Sequence, residues 1–380
     1  MSIRQHNLGS IVKPGFNPLG VQTTTTTYFP YLYSWGSNAE GQLGLGNTTS
    51  YSSPKQVGAL TNWLNVASGG YSTTSVKTDG TLWSWGSNNL GQLGLGNTTY
   101  YSSPKQIGAL TAWSTVAAGF YHNLAIKTDG SLWAWGYGVN GRLGLGDTAS
   151  RSSPVQVGAL TNWAKAAGGS NHSIAIKTDG TLWSWGYNLQ GQLGLNNTTY
   201  YSSPKQVGAL TTWSSITSGS FSVLAIKTDG TLWSWGNNDT GQLGLGNTTN
   251  YSSPKQIGAL TTWYKVISGN GQQLAIKTDG TLWSWGQNTN GALGLGDTTN
   301  RSSPVQVGGL TTWLAVSGGN YYSLAIKTDG TLWTWGKNTE GRLGLGDTTN
   351  RSSPVQVGAL TTWLTLSTGT SFKHSIVLLY

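Results

Sequence analysis

The chain has 380 residues, a formal net charge of +9, only 9% charged residues, 56 Gly, 20 Trp, 17 Tyr and no Cys. Low charge with abundant aromatics excludes a disordered chain, and the missing cysteine excludes disulfides and thiolate metal sites. No apolar run is long enough for a signal-peptide core or a bilayer span, so the expectation is a protein made without Sec export and without membrane insertion.

Residues 1–30 contain "IVKPGFNPLG" followed by a run of threonines. They read as an extended tail, with Ile11, Val12, Pro14, Phe16, Pro18 and Leu19 as candidate anchor contacts to an assembly. From Tyr31 onward the chain is periodic. Trp35, Trp85, Trp135, Trp185, Trp235, Trp285 and Trp335 recur every fifty residues, and so do Trp63, Trp113, Trp163, Trp213, Trp263, Trp313 and Trp363. Trp83, Trp133, Trp183, Trp233, Trp283 and Trp333 complete the set. A fixed period of this size means a propeller or a solenoid.

Within each repeat, "IKTDGTLW" is two alternating runs joined by Asp-Gly, a strong hairpin signal. A two-residue loop at Asp129-Gly130 places Leu124 opposite Trp135 and Ile126 opposite Trp133, all four on one sheet face. Ala125, Lys127, Leu132 and Ala134 then form the other face. The first repeat begins at "YLYSWG" without its turn, and the last ends at "HSIVLLY", which reads as the missing strand. Pairing the two ends completes a seventh unit and removes an open edge. The expected fold is therefore all-β: a seven-bladed β-propeller over residues 31–380, closed by its N- and C-terminal strands. At the last strand, strict period aligns Phe372 with His122 and His172, and a two-residue insertion aligns His374 with them.

The recurring "WSWGxNxxGQLGLGNTT…SSPxQVGALTxW…LAIKTDG" resembles the regulator of chromosome condensation repeat, over about Tyr31 to Tyr380. The resemblance implies a seven-bladed propeller. The founding member of that family is a nucleotide exchange factor for a small GTPase and binds nucleosomes, using a wedge inserted in one blade and a basic tail. This chain has no blade insertion, and its tail offers only Arg4, His6 and Lys13 as positive groups, so exchange activity is not carried over. The near-identical, Ser/Thr/Asn/Gly-rich repeats are similar to bacterial or bacteriophage versions, and the tail resembles anchor segments of phage virion proteins.

The basic charge is periodic. Lys77, Lys127, Lys177, Lys227, Lys277 and Lys327 share one repeat position, and Lys55, Lys105, Lys205 and Lys255 share another. A phosphate-binding surface needs a continuous basic stripe, so nucleic acid is not the expected partner. Three positions change together: Asp147, Arg151 and Val155 (with the sets at 297 and 347) alternate with Asn47, Tyr51 and Lys55 (with the sets at 97, 197 and 247). An Asp–Arg pair replaced by an Asn–Tyr contact explains the exchange. No two acids are spaced as a catalytic pair, and His6, His122, His172 and His374 form no metal cluster. "GQLGLGN" has neither phosphate-loop nor dinucleotide spacing. No enzyme, metal or cofactor is expected.

The remaining variation follows each Trp-Gly or precedes each Ile-Lys strand, segments that the hairpin brings to one end. All seven blades thus place it on one rim, and both chain ends leave from the other. The candidate recognition residues are Tyr71, Phe120, Tyr121, His122, Tyr137, Asn171, His172, Tyr187, Phe221, Asn270, Gln272, Asn320, Tyr321 and Tyr322. Rigid aromatics with amides suit protein or glycan recognition; drift after duplication is the other reading. The functional expectation is a non-enzymatic virion surface module (tail fibre, baseplate or capsid decoration), held by its tail to virion or scaffold proteins and facing a host-surface protein or glycan. The alternative is a cytoplasmic scaffold or exchange-factor-like protein.

Overall fold

The Asp-Gly turn sets the register of every blade, and it is one residue longer than the two-residue reading. The Lys127 amide donates to the Ser131 carbonyl at 3.0 Å and the Gly130 amide to the Lys127 carbonyl at 2.9 Å. The loop is therefore Thr128-Asp129-Gly130, with Gly130 at φ +80°, the left-handed position that closes a three-residue hairpin. The Asp129 carboxylate accepts from the Ser131 amide at 2.8 Å and hydroxyl at 2.6 Å, which pins the extra residue. Leu124 consequently faces Ala134, Asn123 faces Trp135 and Ala125 faces Trp133. The slip reverses the expected faces: the indoles share theirs with Ala125, and Leu124 and Ile126 share the other with Leu132 and Ala134.

The computed structural model describes residues 30–367 and 373–379. The anchor contacts Ile11, Val12, Pro14, Phe16, Pro18 and Leu19 lie outside the described residues. Seven four-stranded antiparallel sheets form the ring. The second blade shows the pattern: an inner strand Trp113–Ala118, then His122–Lys127 and Leu132–Gly136, and an outer strand Arg151–Gln156. Six blades are continuous in sequence. The seventh joins Trp363–Leu366 and His374–Leu379 to Tyr31–Gly36 and Tyr51–Gln56. Tyr31 pairs with Leu379 and Gly36 with His374, so the two ends of the chain meet in one sheet. This pairing also aligns His374 with His122.

The blades pack aliphatic face against indole face. Leu124, Ile126 and Leu132 of the second blade cover Trp163, Trp185 and Ala175 of the third. The same arrangement closes the ring, where Leu32, Ile376 and Leu378 meet Trp63 and Trp85. Each buried indole contributes roughly 4–6 kcal/mol of gross apolar burial. Direction comes from the indole nitrogen. Trp85 donates to the Gln42 carbonyl of the preceding blade at 2.9 Å, and Trp135 to the Gln92 carbonyl at 3.0 Å. Gly44, at φ +74°, lies so close that a Cβ there would sit 2.7 Å from Trp85 Nε1.

Lys77 and its equivalents pack against this core, whereas Lys55, Lys105, Lys205 and Lys255 are exposed. Lys177 Nζ lies 5.0 Å from the Trp163 ring and 3.7 Å from the Trp183 ring, an ammonium held between two indoles. Burial lowers the pKa of Lys177 and the Asp179 carboxylate opposes that shift. The co-varying sets also resolve as contacts. Arg151 pairs with Asp147 at 2.6 Å, whereas Asn47 Nδ2 donates to the Tyr51 hydroxyl at 3.3 Å. The third member follows, because Lys55 lies 5.4 Å from the Tyr51 ring while Val155 accompanies Arg151.

Two glycines with the same left-handed backbone separate strain from packing. Gly208 (φ +62°) has nothing within 4 Å of a Cβ, whereas one on Gly194 (φ +73°) would meet Trp235 Nε1 at 2.8 Å. Gly208→Ala is expected to cost about 1–2 kcal/mol from backbone strain alone. Gly194→Ala is expected to cost about 1–3 kcal/mol more, because the indole must move. Urea unfolding of both variants checks this, and equal losses would mean that the indole is not fixed by its glycine.

Candidate functional site

The diversified segments do meet on one rim. Tyr137 donates its amide to the Tyr121 carbonyl at 2.9 Å, and the same bond joins Tyr187 to Asn171 and Lys337 to Tyr321. The opposite rim carries the repeated Asp-Gly turns and a ring of seven leucines at positions 60 to 360, each between 46% and 53% exposed. Strand Tyr31–Gly36 starts, and strand His374–Leu379 ends, at that repeated rim.

Four of the candidate residues are not on the surface. His122, His172 and Gln272 are fully buried and Tyr322 is 1% exposed. Each begins the second strand of its blade and points into the neighbouring blade. His122 Nε2 shares a hydrogen bond with Ser173 Oγ at 2.8 Å, and His172 Nε2 with Ser218 Oγ at 2.7 Å. Gln272 donates to the Gly319 and Tyr322 carbonyls at 2.7 and 2.9 Å. The Tyr322 hydroxyl donates to the His374 carbonyl at 2.5 Å, and His374 Nε2 meets Thr73 Oγ1 at 3.2 Å. Thr74 donates to Asn123 at 3.1 Å, and Gln273 to Ser222 at 3.3 Å, across the two remaining junctions. The belt is continuous around the ring. The variation at this position fits blade to blade at buried junctions.

The other candidates are half-buried on the rim and fall into groups. Tyr71, Phe120, Tyr121 and Tyr137 form a chain of edge-to-face contacts with centroid separations of 5.8, 4.1 and 6.2 Å. Tyr187 lies 5.9 Å from Phe221 and 4.8 Å from Tyr200. Burial raises the Tyr121 pKa, with Tyr71 adding to it. Ser220, Asn270 and Asn320 form a polar ladder, with bonds of 2.5 and 2.9 Å. Tyr321 is held at φ +64°, a costly backbone for a bulky side chain.

Sequence reasoning missed several rim residues. Tyr100 and Tyr200 occupy a position held elsewhere by Ser or Asn. There Ser50, Ser150, Asn250, Asn300 and Asn350 accept from a backbone amide across their loops. Arg142 and Arg342 replace the Gln of "GQLGLG". Both are buried, and Arg342 pairs with Glu340, which also binds Lys373 at 3.0 Å. The signal for all of them was a letter change inside an otherwise repeated phrase. Among the described residues no group of three His, Asp or Glu side chains could hold a metal.

The fold and the site define a closed propeller with one rim of repeated Asp-Gly turns and one rim where the diversified segments meet. The chain belongs to the RCC1-like domain family, whose model matches residues 32–377. Among solved structures it is similar to human WBSCR16, at 20% identity and a TM-score of 0.82, covering 93% of this chain and 99% of that one. It is also similar to Prp20p of Saccharomyces cerevisiae, at 21% identity and a TM-score of 0.81, covering 93% of this chain and 92% of that one. Yeast RCC1 (Prp20) bound to Kap60 gives 21% identity, a TM-score of 0.81, and coverage of 92% and 89%. No curated protein sequence matches the chain significantly. At these identities the likeness shows the fold.

The buried histidines give a pH dependence. Burial lowers the pKa of His172 and of His374 to about 3, with Arg142 adding to the effect at His172. Burial drives His122 well below its ordinary range, with Arg142 and His172 contributing. An unfolded histidine titrates near 6.5, so below that pH the unfolded chain takes up protons that the folded one refuses. Their contribution to stability is complete above about pH 6.5 and is lost as pH falls toward about 3, by about 1.4 kcal/mol per pH unit per histidine. Urea titrations between pH 7 and 4 measure the slope. His122→Gln, using the residue that already serves at 272, is expected to reduce the proton uptake by one.

Proposed function

We propose that this propeller is a non-enzymatic binding protein that recognises another protein through its diversified rim. The observation that carries the reading is the meeting of two diversified segments from each blade on that rim; at the other end the exposed variation lies at single positions that begin the inner strands, such as Tyr264 and Leu314. On the diversified rim Tyr71, Phe120, Tyr121 and Tyr137 form one contiguous aromatic patch. Half-buried tyrosines held by their neighbours lose little entropy on contact and are typical of binding hot spots. The partners named for the structural neighbours support a protein ligand: Prp20p binds Gsp1p and histones, and yeast RCC1 binds Kap60. They favour the scaffold- or exchange-factor-like alternative over the virion-surface role expected from the near-identical repeats and the tail, which none of these neighbours supports.

The test compares the two rims. Affinity capture from lysate of the protein's own cells, with quantitative mass spectrometry, is run on the full chain and on two variants. Phe120→Ala/Tyr121→Ala/Tyr187→Ala changes the diversified rim, and Leu160→Ser/Leu210→Ser changes the rim of repeated turns. The first is expected to lose the captured partner by about tenfold or more, and the second to keep it. Loss confined to the leucine variant would overturn the proposal and assign binding to the rim of repeated turns.

A further inference from the structure

The ring contains its own comparison for one buried charge. Arg142 and Arg342 occupy the same place in two blades, and each follows a short turn, Val139–Gly141 or Thr339–Gly341. The turns match closely: Asn140 and Glu340 both lie at φ +63°, and each arginine Nε donates at 2.9 Å to the carbonyl of residue 139 or 339. The differences are in the side chains around the turn: Thr339 Oγ1 accepts from Arg342 Nη2 at 2.8 Å where Val139 has no hydroxyl, and Tyr137 stands where the other copy has Lys337. Glu340 places its carboxylate on the Arg342 guanidinium, and Asn140 brings no charge to Arg142.

Arg142 is thus a buried cation without a carboxylate. Among the described residues no acidic side chain lies within ion-pair distance of it. Its Nη1 donates to the Ser170 carbonyl at 2.9 Å, and the Tyr137 ring lies 4.7 Å from the guanidinium carbon. Among the described residues nothing accepts from its Nη2. Burial lowers its pKa to about 10, the mark of a charge held against desolvation without an anion to offset it. It sits at the end of the aromatic chain that runs from Tyr71 to Tyr137.

We infer that Arg142 is the anchor for a carboxylate side chain, Asp or Glu, presented by a partner protein beside an apolar residue that rests on the Tyr121–Tyr137 patch. The inference deepens the rim reading and rests on it. Charge complementarity selects the acid, since a guanidinium binds a carboxylate through paired, charge-assisted hydrogen bonds. The adjoining aromatics select a peptide with an apolar neighbour. Only 2% of Arg142 is exposed, so the acid enters along the edge of Tyr137 or displaces its ring.

The chain has six arginines, so the Nε–Hε signals of full-length, 15N-arginine-labelled protein can be followed individually by NMR. The probes are acetyl-Glu-Phe-amide, its uncharged counterpart acetyl-Gln-Phe-amide, and glucuronate. The Arg142 signal, identified by its loss in Arg142→Gln, is expected to shift saturably with the Glu peptide and not with the Gln peptide. Arg142→Gln introduces the residue found at 42, 92, 192 and 242, and is expected to weaken the Glu peptide about tenfold or more as read from phenylalanine-ring perturbation. Asn140→Glu supplies the acid internally, as Glu340 does, and is expected to abolish the response while thermal unfolding stays cooperative. No shift up to the solubility limit, equal shifts with both peptides, or undiminished binding by Asn140→Glu would overturn the inference. Tighter binding of glucuronate than of the Glu peptide would overturn it in favour of an acidic glycan. If the rim triple variant keeps its partner while Arg142 still takes the acid, the wider rim reading fails and this site stands.

Discussion

The structure depends on one bond made seven times. An indole N–H at the third strand of each blade donates to the carbonyl of a loop residue in the preceding blade. The partners are Arg342, Gln42, Gln92, Arg142, Gln192, Gln242 and Ala292, at 2.9 to 3.1 Å. The same indole is roofed by a glycine two residues beyond that carbonyl, where a side chain has no room. Indole, glycine and carbonyl together fix the angle between successive blades. Because the acceptor is main chain, the side chain at that residue is released from the lock, and Gln, Arg and Ala all occur there. A rigid ring and a tolerant rim are therefore two consequences of one contact.

Below the exposed rim lies a second layer of variation with a different cause. Ser72, His122, His172, Ser222, Gln272, Tyr322 and His374 begin equivalent strands, and all are buried. They differ because each must span a particular gap to a particular neighbour. Tyr322 reaches the His374 carbonyl at the junction where the two chain ends are joined. Ser222 makes no such reach and instead accepts from Gln273 of the next blade. A large residue here also forbids any Cβ at the glycine three residues earlier: one on Gly319 would lie 2.1 Å from Tyr322 Cε1. Diversity among repeats thus mixes packing at the blade junctions with side chains available to a ligand.

Much of the architecture could be read from the letters. The fifty-residue spacing of the tryptophans, the half-hairpins at the two ends and the covarying Asp-Arg and Asn-Tyr sets all became contacts. The faces of the sheet could not be read, because Asp-Gly closes loops of two or three residues equally well. One residue of slip exchanges the two faces, and only the hydroxyl at 131 bonding back to Asp129 distinguishes the cases. The burial of His122 was hidden for a related reason. Gly119 precedes it, but Gly69 and Gly219 precede the small Ser72 and Ser222 in the same way, so the glycine does not announce a large buried neighbour. Arg142 was overlooked because it sits inside a glycine-rich phrase whose backbone is repeated faithfully.

Charge follows the same division between frame and rim. The lysine at position 77 and its five equivalents would give any surface a strongly basic character, yet each ammonium lies against indole rings at the repeated-turn end of its blade. The adjacent aspartate is engaged as well: Asp79 accepts from the Thr81 hydroxyl at 2.6 Å, and Thr81 accepts from Trp83 Nε1 at 2.8 Å. Position 77 and its equivalents therefore join hairpin, indole and turn into one repeated unit. Where the repeats depart from uniformity, the electrostatics become individual. Glu340 binds both Arg342 and Lys373, coupling the sixth blade to the closing strand, while among the described residues Arg142 has no carboxylate and lies against the Tyr137 ring and the Val139 and Ser170 carbonyls. The two arginine loops differ at several side chains, and one of those differences is the carboxylate that Arg342 has and Arg142 lacks. In a frame this repetitive, that difference marks the place where the ring looks outward for its counter-charge.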